Sequence, residues 1–75
     1  MWSVESKKRT VFALEHLNFC PHNGFVRFKK ENGQLGRVLV INVVRKKWLM
    51  EMENSSDAME YGSLVDLIDG GWIMD

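Results

Sequence analysis

The residues with the clearest potential for chemistry are two histidines and the only cysteine, His16, Cys20 and His22, which lie within seven residues of one another. Imidazole and thiolate groups are preferred ligands of Zn²⁺, and Glu15 offers a further carboxylate oxygen. The spacing H-x3-C-x-H matches no standard zinc finger, however, and no second ligand pair follows it. The three residues are therefore weak metal candidates, and a turn around Pro21 with a buried cysteine is the simpler interpretation.

Nucleophilic catalysis is a second use of the same side chains, with a histidine activating the Cys20 thiol. The sequence offers no oxyanion loop beside them, and its stretch NGQLG is better explained as a hairpin than as a phosphate-binding loop. The carboxylates of the C-terminal half form no convincing acid/base pair, and 75 residues leave little room for a substrate pocket. The sequence predicts that the protein is not an enzyme and uses no cofactor.

Charge is unevenly distributed along the chain. Ten Lys and Arg residues balance ten Asp and Glu residues, so the formal net charge is zero. All ten basic residues lie at or before Lys47, whereas the segment from Glu51 onward holds seven acids and no base. This asymmetry indicates either contact with a charged macromolecule or two halves that neutralise each other on folding.

The acidic half contains the candidates for binding a protein partner, Met59, Asp66, Asp69 and Trp72. In a helix over residues 57–69, Asp66 and Asp69 would lie in the last two turns, where the helix dipole disfavours negative charge. A basic residue of the sheet or an external partner would have to compensate. Methionine and aromatic residues are enriched at protein interfaces. The leading hypothesis is a small protein-binding regulator or inhibitor, of the kind that phages and mobile elements encode; a homodimer is a further possibility.

Basic clusters support the alternative of a nucleic-acid-binding module. Arg27 and Lys29 alternate with Phe25 along a predicted strand, and Arg45, Lys46 and Lys47 follow the next one. If the sheet joined the two clusters, Phe25 would offer a ring for base stacking on a positively charged surface. Contacts of this kind bind phosphate with little reading of sequence.

Composition places the chain among small globular proteins. It is 45% hydrophobic and 27% charged, which predicts one domain over residues 1–75. A single cysteine cannot form an intrachain disulfide, and this favours a reducing compartment. The N-terminal residues lack the apolar core of a secretory signal, and the longest apolar run, VLVINVV, is too short to cross a bilayer. We therefore expect a cytoplasmic protein without a membrane partner.

The clearest local structure is a β-hairpin. Asn32-Gly33 is the pair that a two-residue type I′ turn requires, and it separates FVRFKK from the β-branched run RVLVINVV. This turn predicts that Val26 and Phe28 share a face with Leu39 and Ile41. The register is weakly determined, because a shift of one residue would reverse the faces of the second strand.

The rest of the chain predicts a third strand and a C-terminal helix. Residues 48–53 alternate with a period of two after a bend near residues 45–47, although a helix is also compatible with their spacing. Residues 57–69 predict a helix with Gly62 in its interior and Gly70 as a left-handed C-cap. The final residues, from Trp72, would then fold back over the helix or add an edge strand.

Together these elements predict an α+β fold, in which an antiparallel sheet of three to four strands packs against the C-terminal helix. Residues 6–18 are left undecided between helix and strand, because apolar residues fall on both faces of either.

Overall fold

The computed structural model describes residues 2–21, 23–53 and 55–75. The fold is α+β, as predicted, and its five strands form one antiparallel sheet in the order β4-β3-β2-β1-β5. Along the chain the elements are α1 (Val4–Glu15), β1 (Phe25–Lys29), β2 (Leu35–Leu39), α2 (Val40–Val44), β3 (Trp48–Met52), β4 (Ala58–Tyr61), α3 (Leu64–Asp69) and β5 (Ile73–Met74).

The predicted hairpin between β1 and β2 is present, but its loop has three residues instead of two. Lys30 pairs with Gln34 through a 2.9 Å backbone hydrogen bond, and the Gly33 amide donates to the Lys30 carbonyl at 3.0 Å. Gly33 alone supplies the left-handed backbone, with φ of +88°. A three-residue loop with glycine in this position is the next most common hairpin connection. It moves the register by one residue from the predicted one.

This register gives the sheet an inner and an outer face. Val26 is paired with Val38, and Phe28 with Gly36, so these residues share the inner face. The prediction that Val26 and Phe28 share a face with Leu39 is therefore wrong. The inner face also holds Trp48 and Met50 of β3, and the buried residues Leu14, Val43, Leu67 and Ile68 of the three helices pack in the same core cluster. The outer face holds Phe25, Arg27, Lys29, Leu35, Arg37, Leu39, Leu49 and Glu51.

The second half of the β-branched run does not continue β2. Val40–Val44 forms the short helix α2, in which Val43 is buried in the core. Its intrinsic preference for a strand is overridden because burial against the inner face is worth more than propensity. The chain leaves α2 through a turn in which the Lys47 amide donates to the Asn42 carbonyl at 2.7 Å. The third strand then follows as predicted and spans Trp48–Met52 of the alternating residues 48–53.

The prediction of a continuous helix over residues 57–69 is wrong. Its first part is β4, which pairs with β3 and places Met59 opposite Met50. Gly62 lies between the two elements, and the helix α3 begins only at Leu64, where the Ser63 hydroxyl accepts a hydrogen bond from the Asp66 amide. Pairing with β3 satisfies the backbone of β4 and completes the sheet. The helix also does not end the fold, because β5 follows it.

The turn after α3 is built by the second of two glycines. Gly70 has an ordinary helical φ of −71°, and Gly71 adopts the left-handed conformation with φ of +98°. The chain then reverses, as expected, and β5 pairs with β1 at the edge of the sheet. Trp72 becomes fully buried over Gly36, where a Cβ atom would lie 2.9 Å from the indole ring.

The undecided N-terminal segment is the helix α1, which is capped by the Ser3 hydroxyl. It lies along the open edge of β5, since the Met74 amide donates to the Thr10 hydroxyl at 3.2 Å. The Trp2 indole donates to the Gly71 carbonyl at 2.8 Å and fixes the start of the chain to the same turn. At the opposite edge lies β4, which the described residues leave without a second strand partner.

Candidate protein-binding surface

A groove lies where the ends of all three helices meet the start of β3. It has a volume of about 540 Å³. Its lining residues come from the end of α1, from α2 and the loop that follows it, and from the starts of β3 and α3: Leu14, Glu15, Leu17, Val43, Val44, Lys46, Trp48 and Leu64. Leu17 and Val44 remain 51% and 52% exposed, and Ile41, one turn before Val44 on α2, is also half exposed. The groove therefore presents apolar side chains to solvent.

Two lining residues have a left-handed backbone. Leu17 has φ of +52° and Lys46 has φ of +59°, and each directly follows the C-cap residue of its helix. Glycine usually occupies this position, since a side chain there costs roughly 1–2 kcal/mol. At the end of both α1 and α2, therefore, a residue that lines the groove occupies a backbone conformation in which glycine would be less strained.

A basic loop, Arg45, Lys46 and Lys47, borders the groove on one side. All three side chains are exposed. Within the described residues, none of them forms an ion pair with a carboxylate. The helix α2 separates the loop from the end of β2. The positive charge of the loop is available to a partner.

Both acidic residues predicted to bind a partner, Asp66 and Asp69, lie on α3. Asp66 is in the first turn of α3, where the helix dipole favours it, and its carboxylate lies beside the Gly62 backbone. The expectation that Asp66 occupies a late, unfavourable turn is therefore wrong, because the helix begins later than predicted. Asp69 does end the helix, is exposed and forms no ion pair within the described chain.

Apolar side chains are interspersed with these acids. Met59 on β4 is 52% exposed, and Val65 beside Asp66 is 65% exposed. Trp72, by contrast, is fully buried, and its indole donates a 3.0 Å hydrogen bond to the Tyr61 hydroxyl. It stabilises the packing of β4 and α3 and offers no surface to a partner. We name Met59, Val65, Asp66 and Asp69 the acidic surface.

Three of the residues predicted for nucleic-acid binding already have partners within the chain. Phe25, Arg27 and Lys29 share the outer face of the sheet, as the alternation predicted. Arg27 forms a 3.2 Å ion pair with Glu53, and Lys29 lies 3.7 Å from the Asp75 carboxylate. The remaining basic group of this face, the Arg37 guanidinium, stacks over the Phe25 ring at 4.4 Å.

The three weak metal candidates are only partly described. His22 lies outside the described residues. The His16 Nδ1 lies 2.9 Å from the Phe12 carbonyl, to which it can only donate, and its ring stacks on the Phe12 ring. Cys20 is exposed, in contrast to the expected burial. In the part of the chain that the structure describes, no group of three His, Cys, Asp or Glu residues is placed to hold a metal ion.

Sequence reasoning missed the groove itself. The sequence predicts its exposed residue Val44, and the neighbouring Ile41, in a strand, and Leu17 lies in the segment of undecided structure. The sequence held one signal of this difference. The run of eight residues from Arg37 to Val44 is longer than the six-residue segment 25–30 with which it was expected to pair. The residues at the end of the run could not all pair in the hairpin, and they form α2 instead.

The chain has no significant match among protein-family models, curated proteins or solved structures. In the described residues, no helix combines the length and the apolar character that a membrane crossing requires. Function must therefore be argued from the surfaces of the chain itself.

Proposed function

We propose that this chain is a non-enzymatic binding protein that acts through protein–protein contact at the groove. One observation carries the proposal: the groove exposes Leu17 and Val44 beside Lys46 of the basic loop and the Glu15 carboxylate. Neither the basic loop nor Asp66 and Asp69 of α3, whose first residue Leu64 lines the groove, forms an ion pair within the described chain. Apolar residues at the centre with charged groups around them are the usual composition of a protein interface.

The charged borders define what a partner must offer. The acidic surface suits a partner with basic side chains, while Met59 and Val65 offer it apolar contact. The basic loop suits carboxylates. A short chain that works through its surface alone fits a cytoplasmic regulator or inhibitor of another macromolecule, of the kind that phages and mobile elements encode.

Selection from a library of displayed random peptides tests the proposal without a known partner. We expect the wild-type protein to enrich peptides that combine apolar and charged residues. Their binding should be lost with Val44→Asp, and weakened by Asp66→Lys/Asp69→Lys when the peptide is basic. Arg27→Glu/Lys29→Glu changes charge on the outer face and is the matched control. Peptides that bind every groove variant normally, yet fail to bind this control, would contradict the proposal.

Nucleic-acid binding is a second candidate, favoured by the unpaired charges of the basic loop. Because the basic groups of the outer face already have partners within the chain, this loop would be the main phosphate contact. Titration with short DNA and RNA oligonucleotides at low and moderate salt tests this candidate. Binding that weakens steeply with salt and disappears with Arg45→Glu/Lys46→Glu would support it. Absence of binding at low salt would eliminate it.

A further inference from the structure

The basic loop and part of the acidic surface lie at the same end of the sheet. Trp48, which directly follows the basic loop, is paired with Tyr61 at the end of β4. The next residue, Gly62, lies against the Asp66 carboxylate, with 3.2 Å between the position of a Cβ atom and Oδ2. Opposite charges therefore flank one strand end, yet no ion pair joins Asp66 to the basic loop.

Exposed apolar side chains continue between these charges. Leu64 lines the groove, and the adjacent Val65 is the first strongly exposed residue of α3. On the other side of the groove, Val44 precedes the basic loop directly, and Ile41 lies one turn earlier on the same helix. The groove thus has Lys46 and Glu15 among its apolar lining residues, and Asp66 lies on α3 two residues beyond the lining residue Leu64.

We propose that the partner seated in this groove is a second copy of the same chain. A two-fold rotation about an axis through the groove sets the basic loop of each copy against Asp66 of the other. The half-exposed Leu17 and Val44 then pack between the two copies. Surfaces that carry both charges side by side are self-complementary under such a rotation, and two-fold dimers are the most common assemblies. The inference rests on the proposed function, since it names an occupant for the same groove.

Charge balance favours a second copy over a purely acidic or basic partner. A basic partner would complement Asp66 but repel the basic loop, and an acidic partner would do the reverse. A second copy complements both borders at once, and a chain of zero formal net charge carries little overall repulsion against its own copy. The Glu15 carboxylate at the groove adds a further acceptor for the basic loop of the other copy.

Sedimentation equilibrium of the purified full chain, followed with rising concentration and salt, tests the inference. We expect the wild-type mass to approach that of a dimer and the dissociation constant to increase with salt. Arg45→Glu/Lys46→Glu and Asp66→Lys/Asp69→Lys should each be monomeric, because each variant brings like charges together across the interface. An equimolar mixture of the two should recover the dimer mass, because each variant now complements the other.

Two controls separate loss of dimerisation from loss of folding. Circular dichroism and thermal unfolding should show that the charge variants remain folded. Val44→Asp leaves the basic loop and Asp66 unchanged but places a carboxylate among the apolar residues of the groove, and it should also be monomeric. Arg27→Glu/Lys29→Glu makes an equal charge change on the outer face and should dimerise normally.

A wild-type chain that stays monomeric at the highest concentration reached overturns the inference. So does a dimer that the groove variants leave intact, which would point instead to pairing through the β4 edge. Either result leaves the proposed function to be decided by the peptide selection. If selected peptides bind the groove of a monomeric protein, only the second copy is excluded; if none does, the proposed function fails as well.

Discussion

The outer face of the sheet and the groove both combine basic, acidic and apolar side chains, but they use them differently. On the outer face, Arg27 is paired with Glu53, Lys29 lies near Asp75, and Arg37 covers the ring of Phe25. At the groove and the adjacent helix α3, the basic loop and Asp66 form no ion pairs in the described chain, and the groove residues Leu17 and Val44 are half exposed.

This difference indicates which surface is available for binding. Charges that already have partners must lose them before they contact another molecule, which for exposed pairs costs about 0–1 kcal/mol each. Unpaired charges around an apolar groove carry no such cost. The sequence offered the outer face as the alternative, nucleic-acid site because its basic residues alternate with Phe25, but this spacing does not reveal which of them already form ion pairs.

The largest expected effect is a loss of stability on the inner face of the sheet, which can be compared with the outer face because β1 has a phenylalanine on each. Phe28 is fully buried on the inner face, whereas Phe25 is only partly buried on the outer face. Phe28→Ala should lower the free energy of unfolding by about 3–5 kcal/mol, because it removes core contacts and leaves a cavity. Phe25→Ala should cost less than half as much. Chemical denaturation of both variants measures the difference, and equal losses would show that the outer face is packed as tightly as the core.

An intermediate loss of stability is expected when the buried one of two neighbouring valines of α2 is replaced by alanine. Val43 is buried in the core, while Val44 borders the groove and is half exposed. Val43→Ala should destabilise the fold by about 1.5–3 kcal/mol, roughly the value of burying a valine side chain. Val44→Ala should change the stability of the monomer by less than about 0.5 kcal/mol.

Denaturation should be measured at a concentration low enough for the monomer, so that association does not add to the stability of either variant. A large loss of monomer stability with Val44→Ala would contradict the claim that this side chain contributes mainly to partner binding, because Val44 would then be a core residue of the fold.

The smallest expected effect concerns the ion pair of the outer face. The Arg27 and Glu53 side chains are 42% and 22% exposed, so solvent screens their attraction. A double-mutant cycle with Arg27→Met and Glu53→Gln should give a coupling energy of about 0.2–1 kcal/mol that decreases with salt. If no coupling is measured at low salt, Arg27 is not energetically paired with Glu53. The outer face would then resemble the groove in having a basic group available to a partner.

The sequence predicted the elements whose signals are local. The strand over residues 48–52 follows from strict alternation, and the reversal after Gly71 follows from two glycines before an apolar tail. The fold class was also predicted, because strands and helix-forming segments could be recognised separately even where their limits were wrong.

The errors arose where tertiary contacts decide between local alternatives. The segment Val40–Val44 has strand propensity but becomes a helix because Val43 is buried there. Residues 58–61 satisfy a helical pattern, yet they complete the sheet because β3 would otherwise lack a partner on that side. The groove depends on both changes, so its position could not be derived from the sequence.

A titration of the ¹⁵N-labelled protein by NMR, from low micromolar to near-millimolar concentration, tests the central claim most directly. The account predicts that amide shifts change with concentration around Leu17, at residues 41–47 and at residues 64–66, while the outer-face amides of β1 and β2 remain constant. Shifts confined to the outer face would contradict it, since the paired charges would then form the contact. A spectrum that does not change with concentration would contradict the second copy as the occupant of the groove.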